Sequence, residues 1–347
     1  GDEFGIVFTT TNETCADNMA LSIVQLLVQP FAIGDLVLDV DCSIGAAMYP
    51  NDADSAEGIL QCADIAMYSC KDQHHQYATY KPELNKYSVL RLNLMSELKG
   101  ALVEGQLVLH YQPKLSLKEN RISTVECLIR WIHPEHGFIS PDDFIPLAEQ
   151  TGAIRHVTHW ALNIACEQLQ KWQAQGLDFG MAVNISALDL VDMKLPTYIA
   201  SLLTKYKLSP HLLTMEVTES AVMSDPENAL NALNTLRTMG ILLSIDDFGT
   251  GYSSMAQLKD MPVDELKIDK AFVLELASND ADRIMVKTIV SLAQNLSMTT
   301  VAEGVEDLAT LEYLREIGCT KAQGYYLTKA LPAEKFEVWY QDFLDKS

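Results

Sequence analysis

The chain has 347 residues, of which 48% are hydrophobic, and its 47 acidic side chains outnumber 25 basic ones to give a net charge of −22. This charge argues against a broad basic face for binding a nucleic acid polymer or an anionic membrane. Any phosphate group of a ligand must therefore be bound by metal ions or by a few basic side chains. The length favours two compact units, or one large barrel with an attachment, and no apolar run reaches transmembrane length.

Seven cysteines are scattered along the chain without a CxxC pair, and the eight histidines form no HExxH motif. These spacings predict neither a disulfide framework nor a zinc site. The cysteines are instead typical of reduced, mostly buried thiols in a cytosolic protein.

The N-terminal part of the chain alternates between strand and helix patterns up to about residue 80. It opens on "GDEFGIVF" without a methionine, which indicates a piece of a longer protein. After a polar segment, leucines recur every four residues and predict a helical linker from about Val89 to Glu104: Leu90, Leu94, Leu98 and Leu102. We therefore predict a first, partial domain at 1–86, a linker at 87–105 and a second domain at 106–347.

The sequence of the second domain predicts short apolar strands, with a helical pattern between most pairs of consecutive strands. The eight strand patterns are "LVLHYQPKLSL", "ISTVECLIRW", "GMAVNIS", "LTMEVTES", "ILLSIDDFG", "VDELKID", "TTVAEGVE" and "CTKAQGYYL". This alternation predicts an α/β fold with a closed (β/α)8 barrel of the TIM type, with an open doubly wound sheet as the alternative.

Polar residues close the apolar run of every predicted strand. They are Gln112, Glu126, Asn184, Glu216, Asp246 with Asp247, Lys267, Glu303 and Gln323. Because parallel barrel strands deliver their C-terminal ends to one face, these side chains are expected to meet in one pocket. So many uncompensated anions cannot share a pocket, whereas hard divalent cations accept such oxygen ligands, so we predict a pair of Mg²⁺ or Mn²⁺ ions.

These residues lie in motifs that together resemble the EAL-domain cyclic di-GMP phosphodiesterases, over a span from about Leu92 to Phe343. The matching segments are "YQP", "ECLIRW", "ISPDDFIPLAEQTG", "VNIS", "EVTES", "DDFGTGYSS", "LKID", "AEGVE" and "QGYY". The resemblance implies metal-dependent hydrolysis of cyclic di-GMP to linear pGpG in bacterial second-messenger signalling. A catalytically inactive sensor that only binds cyclic di-GMP is the alternative, and the complete set of candidate metal ligands favours the enzyme.

The resemblance also implies a role for each matching residue. Those implied as metal ligands are Glu126, Asn184, Glu216 and Asp246 for one ion, and Asp246, Asp247 and Glu303 for the other. Lys267 is implied to orient and help activate the attacking water, with a structural salt bridge at the barrel rim as its alternative role. Glu219, which we place in the loop after its strand, is implied to hold the "DFGTG" segment, and Gln323 to support Lys267.

The implied nucleotide contacts are Gln112, Leu128 and Arg130, with Arg130 facing a phosphate; Gln323 is also assigned to substrate binding. One position departs from the family signature, because Cys127 stands where alanine is usual. Cysteine is only slightly larger, and the middle residue of a strand triplet points away from the ligand face. We therefore expect Cys127 to be a small buried thiol rather than a reactive one.

The N-terminal segments "GDEF", "SIGAAMYP" and "ADIAMYSCK" resemble the second half of a GGDEF diguanylate cyclase domain. The first half of that domain is not in this chain, and "DQHH" stands where the family usually has Gly-Arg-Asn, so we expect no complete cyclase here. The resemblances imply a cytoplasmic homodimer formed through the barrel. For the longer protein they imply an upstream sensor or a complete GGDEF domain, and they are compatible with an inner-membrane anchor.

Overall fold

The structure is a computed structural model, and it describes residues 4–9, 13–27, 31–33, 36–38, 42–72, 76–249, 255–276 and 279–346. The chain forms two compact units, Gly1–Leu94 and Met95–Ser347. Residues 1–3 of "GDEF" and residues 73–75 of "DQHH" lie outside the described residues, as do residues 250–254 of "DDFGTGYSS".

The first unit contains short strands and two long helices. Its strands are β1 (Phe31–Ile33), β2 (Leu36–Leu38), β3 (Ile44–Ala46) and β4 (Tyr77–Thr79), and its helices are α1 (Glu13–Leu27) and α2 (Ala56–Asp72). Strand β1 pairs with β2 antiparallel, and β3 pairs with β4 in parallel. A Cβ atom on Gly45 would lie 2.0 Å from the Ala63 carbonyl oxygen, so only glycine lets β3 approach α2 this closely. Helix α3 (Pro82–Val103) begins earlier than the predicted linker helix and contains the boundary between the units.

The second unit alternates strands with helices along most of its length. Its strands are β5 (Leu107–Ser116), β6 (Arg121–His133), β7 (Gly137–Ile139), β8 (Gly180–Asn184), β9 (Leu213–Thr218), β10 (Leu242–Phe248), β11 (Glu265–Ile268), β12 (Thr299–Ala302) and β13 (Lys321–Ala322). Its helices are α4 (Pro141–Gln150), α5 (Ile154–Ala174), α6 (Ala187–Leu190), α7 (Leu195–Tyr206), α8 (Glu219–Ser224), α9 (Pro226–Thr238), α10 (Met255–Asp260), α11 (Lys270–Val273), α12 (Asp280–Asn295), α13 (Leu308–Glu316) and α14 (Ala333–Lys346).

Eight strands of the described residues close into a barrel in the order β5-β13-β12-β11-β10-β9-β8-β6, because β6 also pairs with β5. Strand β7 adds to the outer edge of β6. The predicted TIM-type barrel is therefore confirmed. The strands from β8 to β12 are buried on both faces, as parallel strands covered by helices are. In β9 the apolar Leu213, Met215 and Val217 take one face, and the buried polar Thr214 and Glu216 take the other.

The first barrel strand does not run in the expected direction. Strand β5 is antiparallel to both of its neighbours, β6 and β13, whereas the other barrel neighbours are parallel. The reason is the connection, because a four-residue turn at 117–120 joins β5 to β6, and a parallel pair needs a crossover of about a dozen residues or more. Our expectation that Gln112 and Glu126 close their strands was wrong: Gln112 lies inside β5, directly opposite Glu126, which lies inside β6.

Amphipathic helices cover the outside of the barrel and bury one face on it. In α12 the buried positions are Val286, Ile289, Val290 and Ala293, which recur with helical periodicity. Asn279 starts this helix by accepting hydrogen bonds from the backbone N–H groups of Ala281 and Asp282. This packing holds the strands in register and fixes the strand residues that face the barrel mouth.

Candidate functional site

The barrel brings together all nine residues predicted to end its strands, although Gln112 and Glu126 come from the middle of β5 and β6. Glu126 comes from β6, Asn184 ends β8, Glu216 lies in β9, and Lys267 lies in β11. Glu303 and Gln323 directly follow β12 and β13. Most of these side chains are buried, and Glu126, Glu216 and Lys267 are at most 3% exposed. A pocket so poor in water makes the charges of these groups strongly interdependent.

Two groups of carboxylates in this pocket are close enough to hold metal ions. Glu126, Glu216 and Asp246 each place one oxygen within 4.8 Å of the others, and so do Asp246, Asp247 and Glu303. Asp246 belongs to both groups, as expected for a residue that bridges two ions. The donors are all carboxylate oxygens, the ligand type that Mg²⁺ and Mn²⁺ prefer.

A local break in strand geometry puts Asp246 and Asp247 in the same group. Neighbouring residues of a regular strand point to opposite faces. Here the pairing of β10 with β11 shifts register between Ile245 and Phe248, and Asp247 adopts the left-handed region with φ 54°. A non-glycine residue in that region is strained and must be held by its surroundings. The bulge lets both carboxylates face the pocket.

Lys267 stands among these carboxylates with its side chain 1% exposed. Its ammonium nitrogen lies 2.8 Å from Asp246 Oδ2, 2.9 Å from Glu303 Oε1 and 3.0 Å from Glu216 Oε2, and 3.5 Å from a Glu126 oxygen. Burial alone would lower the pKa of Lys267, but these four carboxylates outweigh burial and hold its pKa well above the usual value. The side chain is therefore a protonated hydrogen-bond donor, buried inside the barrel rather than at its rim.

One ammonium does not compensate all of the carboxylates around it. Burial raises the pKa of Glu216 to about 7, with Glu126 adding to the effect and two lysines opposing it. Burial, and then the charge of Asp246, raises the pKa of Asp247 to about 6. Burial also raises the pKa of Glu303, whereas the charges of Lys267 and Lys114 outweigh burial and lower the pKa of Glu126. Additional positive charge would stabilise this site, and bound divalent cations would supply such charge.

Three amides line the pocket next to Glu126. Asn184 Nδ2 donates to Glu126 Oε1 at 2.9 Å, and Gln323 Nε2 donates to Glu126 Oε2 at 2.7 Å and to Gln112 Oε1 at 3.1 Å. Gln112 in turn donates to the Thr328 carbonyl at 3.2 Å. Within the described residues the buried Gln323 Oε1 has no hydrogen-bond partner, so it offers an acceptor to a ligand or a water molecule. Gln323 thus contacts Glu126 and Gln112, and its predicted support of Lys267 remains a prediction.

Glu219 lies behind the aspartates at the start of α8, rather than in the loop that we expected. The reason is that Thr218 caps this helix by accepting from the Ala221 N–H group at 3.2 Å, so the helix begins directly after β9. Glu219 Oε2 accepts a hydrogen bond from the Gly249 N–H group at 3.4 Å. That contact reaches the "DFGTG" segment at the point where β10 ends.

Leu128 and Arg130 follow Glu126 at two-residue intervals on β6, which places the three residues on one face of the strand. Both are half-buried, and Arg130 donates through Nη1 to the Ile129 carbonyl at 2.9 Å. The intervening Cys127 is buried on the other face, and burial raises its thiol pKa well above the usual value. A buried thiol with a raised pKa stays protonated and is therefore unreactive.

Sequence reasoning missed a second set of charges deeper in the barrel. Lys114, Glu265 and Lys321, here called the basal ion group, are all at least partly buried, and Lys114 is completely enclosed. Lys114 contacts Glu216 and lies 3.6 Å from Glu265, which lies 2.7 Å from Lys321. Strand alternation was the available signal, because Lys114 is two residues from Gln112, and Glu265 two residues from Lys267.

Comparisons with known proteins agree with the geometry. Residues 95–330 match the family described as EAL domain, and residues 1–76 match the family described as diguanylate cyclase, GGDEF domain. The bifunctional diguanylate cyclase/cyclic di-GMP phosphodiesterase MucR of Pseudomonas aeruginosa is 41% identical over 337 residues, which cover 96% of this chain and 49% of that protein. The cyclic di-GMP phosphodiesterase PdeR of Escherichia coli is 35% identical, over 100% of this chain and 52% of that protein.

Solved structures give the same result. The PaMucR phosphodiesterase in complex with c-di-GMP is 44% identical, with a TM-score of 0.68 over 70% of this chain and 99% of that one. The EAL domain of Mycobacterium smegmatis DcpA is 32% identical, with a TM-score of 0.58 over 69% of this chain and 97% of that one. The chain spans about half the length of the curated relatives it matches. From its matched residues, its barrel and these relatives, the chain belongs to the EAL-domain family.

Proposed function

We propose that this chain hydrolyses cyclic di-GMP to linear pGpG with the help of two divalent cations, Mg²⁺ or Mn²⁺. The observation that carries the proposal is the pair of carboxylate groups that share Asp246, one of them buried and the other half-buried, with the Lys267 ammonium 2.8 Å from Asp246 Oδ2. One group, with the Asn184 amide beside it, would hold the first ion, and Asp246, Asp247 and Glu303 would hold the second. When bound, such ions make a water molecule more acidic and stabilise the negative charge that develops on phosphorus.

The side chains of the pocket supply the remaining requirements. Lys267 is a protonated donor within 3.0 Å of three carboxylates, so it is placed to orient a water molecule held at the same oxygens. The surrounding carboxylates raise its pKa well above the usual value, so in the site without metal ions Lys267 is a hydrogen-bond donor. Glu219 would keep Asp246 and Asp247 in place through Gly249, as the first residue of α8.

For the nucleotide, we propose contacts from Gln112, Gln323, Leu128 and Arg130. Within the described residues the buried Gln323 Oε1 is an unused acceptor beside the carboxylates, and Gln323 Nε2 donates to Gln112 Oε1. Leu128 offers an apolar surface for a guanine ring. Arg130 offers the cation that a phosphate needs in so acidic a protein, and its fork of N–H donors matches a pair of phosphate oxygens.

The alternative, a binding module without catalysis, makes a different prediction for the same sample. The purified chain is mixed with cyclic di-GMP and Mg²⁺ or Mn²⁺, and the products are separated by chromatography, with Asp246→Asn as the matched inactive variant. Formation of pGpG that stops on adding EDTA supports the enzyme. Tight binding of cyclic di-GMP without any product would establish the sensor and refute hydrolysis.

Assembly and location belong to the same proposal. No helix within the described residues is long and apolar enough to cross a membrane. We propose a cytoplasmic chain that dimerises through the barrel, with domains divided at 1–86, 87–105 and 106–347. The first of these would be a partial GGDEF domain with no cyclase activity of its own. Light scattering of the eluting protein measures the mass in solution, and a monomer at micromolar concentration would contradict the dimer.

A further inference from the structure

Lys114 is a buried cation that the proposed hydrolysis does not use. Its side chain is 0% exposed, and its ammonium nitrogen contacts Glu216 Oε1. Burial alone would lower the pKa of Lys114, but Glu216 and Glu265 outweigh burial and raise it above the usual value. A buried charge is costly unless it is paired, so this lysine depends on its two carboxylate partners.

The two oxygens of Glu216 are divided between two lysines. Oε1 contacts Lys114, and Oε2 accepts from Lys267 at 3.0 Å. Lys267 also contacts Asp246 Oδ2 at 2.8 Å and Glu303 Oε1 at 2.9 Å. Glu216 Oε2 therefore lies on the side of the acidic groups, whereas Oε1 is turned toward the basal ion group.

The basal ion group keeps Lys114 in this position. Glu265 Oε1 lies 3.6 Å from Lys114 and accepts from the Ser244 hydroxyl at 3.3 Å. Glu265 Oε2 lies 2.7 Å from Lys321 and accepts from the Thr299 hydroxyl at 3.3 Å. Because both of its oxygens accept hydrogen bonds, the Glu265 carboxylate is fixed in position, and its negative charge stabilises the Lys114 ammonium.

Metal ions differ in what they require of a carboxylate. Ca²⁺ accepts one or two oxygens from the same carboxylate in a loose shell of six to eight ligands, whereas Mg²⁺ requires a compact octahedron and takes one oxygen per carboxylate. We propose that Lys114 is a positioning residue for the metal site. By binding Glu216 Oε1 it leaves only Glu216 Oε2 to bind a metal ion, and the site therefore favours Mg²⁺ or Mn²⁺ over Ca²⁺. This inference rests on the metal site of the proposed function, and it assigns the selectivity of that site to a residue outside it.

The test measures the binding of Mn²⁺ and of Ca²⁺ by isothermal titration calorimetry, without substrate. Lys114→Met removes the ammonium but keeps the length of the side chain, and it frees Glu216 to bind through both oxygens. The loss of a positive charge strengthens the attraction for any divalent cation, so the informative quantity is the ratio of the two dissociation constants. We expect the preference for Mn²⁺ over Ca²⁺ to fall about tenfold, the lower end of the usual effect of residues that orient metal ligands.

Lys321→Met is the matched control. It removes the same charge from the basal ion group, and within the described residues the contacts of Lys321 go to Thr124 and Glu265 rather than to Glu216. The control should retain the wild-type ratio, because Thr299 still donates to Glu265 Oε2 and Lys114 still contacts Glu216 Oε1. An equal change in both variants, or an unchanged ratio in a folded Lys114→Met protein, would overturn the proposal.

If Lys114→Met does not fold, the double variant Lys114→Met/Glu265→Gln replaces it, because this pair of changes conserves the net charge of the barrel interior. The same tenfold change in the ratio is expected of it, and an unchanged ratio again overturns the proposal. The binding measurement does not depend on catalysis. If the wild-type protein binds both cations but forms no pGpG, hydrolysis is refuted, and the ratio of dissociation constants still tests the role of Lys114. A wild-type protein that binds neither cation refutes both.

Discussion

Lys267 can be tested as both a structural and a catalytic residue in one variant, Lys267→Met. The change keeps the length of the side chain but removes an ammonium that lies 2.8–3.5 Å from four carboxylates. Breaking buried ion pairs from one side costs about 3–5 kcal/mol of unfolding free energy. For a unit of this size we expect the melting temperature in EDTA to fall by about 6–20 °C.

Divalent cations change the expected result. Ions bound by the same carboxylates replace the lost positive charge, so saturating Mn²⁺ should restore most of the melting temperature. Turnover should nevertheless stay low by about 10²–10⁴-fold, the usual contribution of a group positioned for proton transfer or for orienting the nucleophile. That loss corresponds to about 2.7–5.4 kcal/mol of activation free energy.

The assay combines a thermal melt in EDTA and in Mn²⁺, turnover by chromatography, and cyclic di-GMP affinity by calorimetry in Ca²⁺. Lys321→Met serves as the control for losing a lysine inside the barrel, and its turnover should stay near that of the wild type. Substrate affinity of Lys267→Met should change little, because we propose that Lys267 orients the attacking water and does not contact the guanine. Turnover near the wild-type value in folded Lys267→Met protein would refute the reasoning and leave Lys267 as a structural ion-pair partner.

Three further predictions concern the metal ligands, their support and the cysteines. Asp246→Asn, which is nearly isosteric, should abolish hydrolysis without unfolding the protein, and EDTA should do the same reversibly; full hydrolysis in excess EDTA would contradict the two-metal proposal. Glu219→Ala should weaken Mn²⁺ binding measured by calorimetry and lower activity, with partial recovery at high Mn²⁺; no recovery would count against its supporting role. Cys127 and Cys166 should resist iodoacetamide at pH 8, because burial raises the pKa of Cys166 to about 12 and that of Cys127 well above its usual value, so both thiols stay protonated. Mass spectrometry of the native protein should therefore detect no alkylation of either thiol, and rapid labelling would show that they are accessible.

Much of the barrel could be read from the sequence, because its strands are apolar runs that end in polar residues. That pattern depends only on local order along the chain and on the direction of parallel strands, and it placed Glu216, Lys267 and Glu303 correctly in one pocket. It failed for β5, where our interpretation ignored the short connection to β6 and therefore gave the strand the wrong direction. It also placed Glu219 in a loop, because the helix that begins there is only six residues long and depends on its Thr218 cap.

The basal ion group illustrates a different limit. Lys114 and Glu265 lie within segments that we read as ordinary barrel strands, and strand alternation places them on the faces of Gln112 and Lys267. The period of two assigns a side chain to one face of its strand, but it does not say which side chains on that face meet across the barrel. These contacts are seen only in the closed sheet, where Lys114 lies next to Glu216 and Glu265.

The sequence by itself determined the inventory of this site, the carboxylates, the amides and the single lysine, and the order of the strands that carry them. The tertiary structure decided how Asp246 and Asp247 are used. On a regular strand their side chains would point to opposite faces, and one of them would be lost to the pocket. The register shift against β11 and the left-handed backbone of Asp247 turn both toward Glu303. Such a strained conformation persists only where surrounding contacts enforce it, so it is a property of the assembled barrel and not of the segment "SIDDFG".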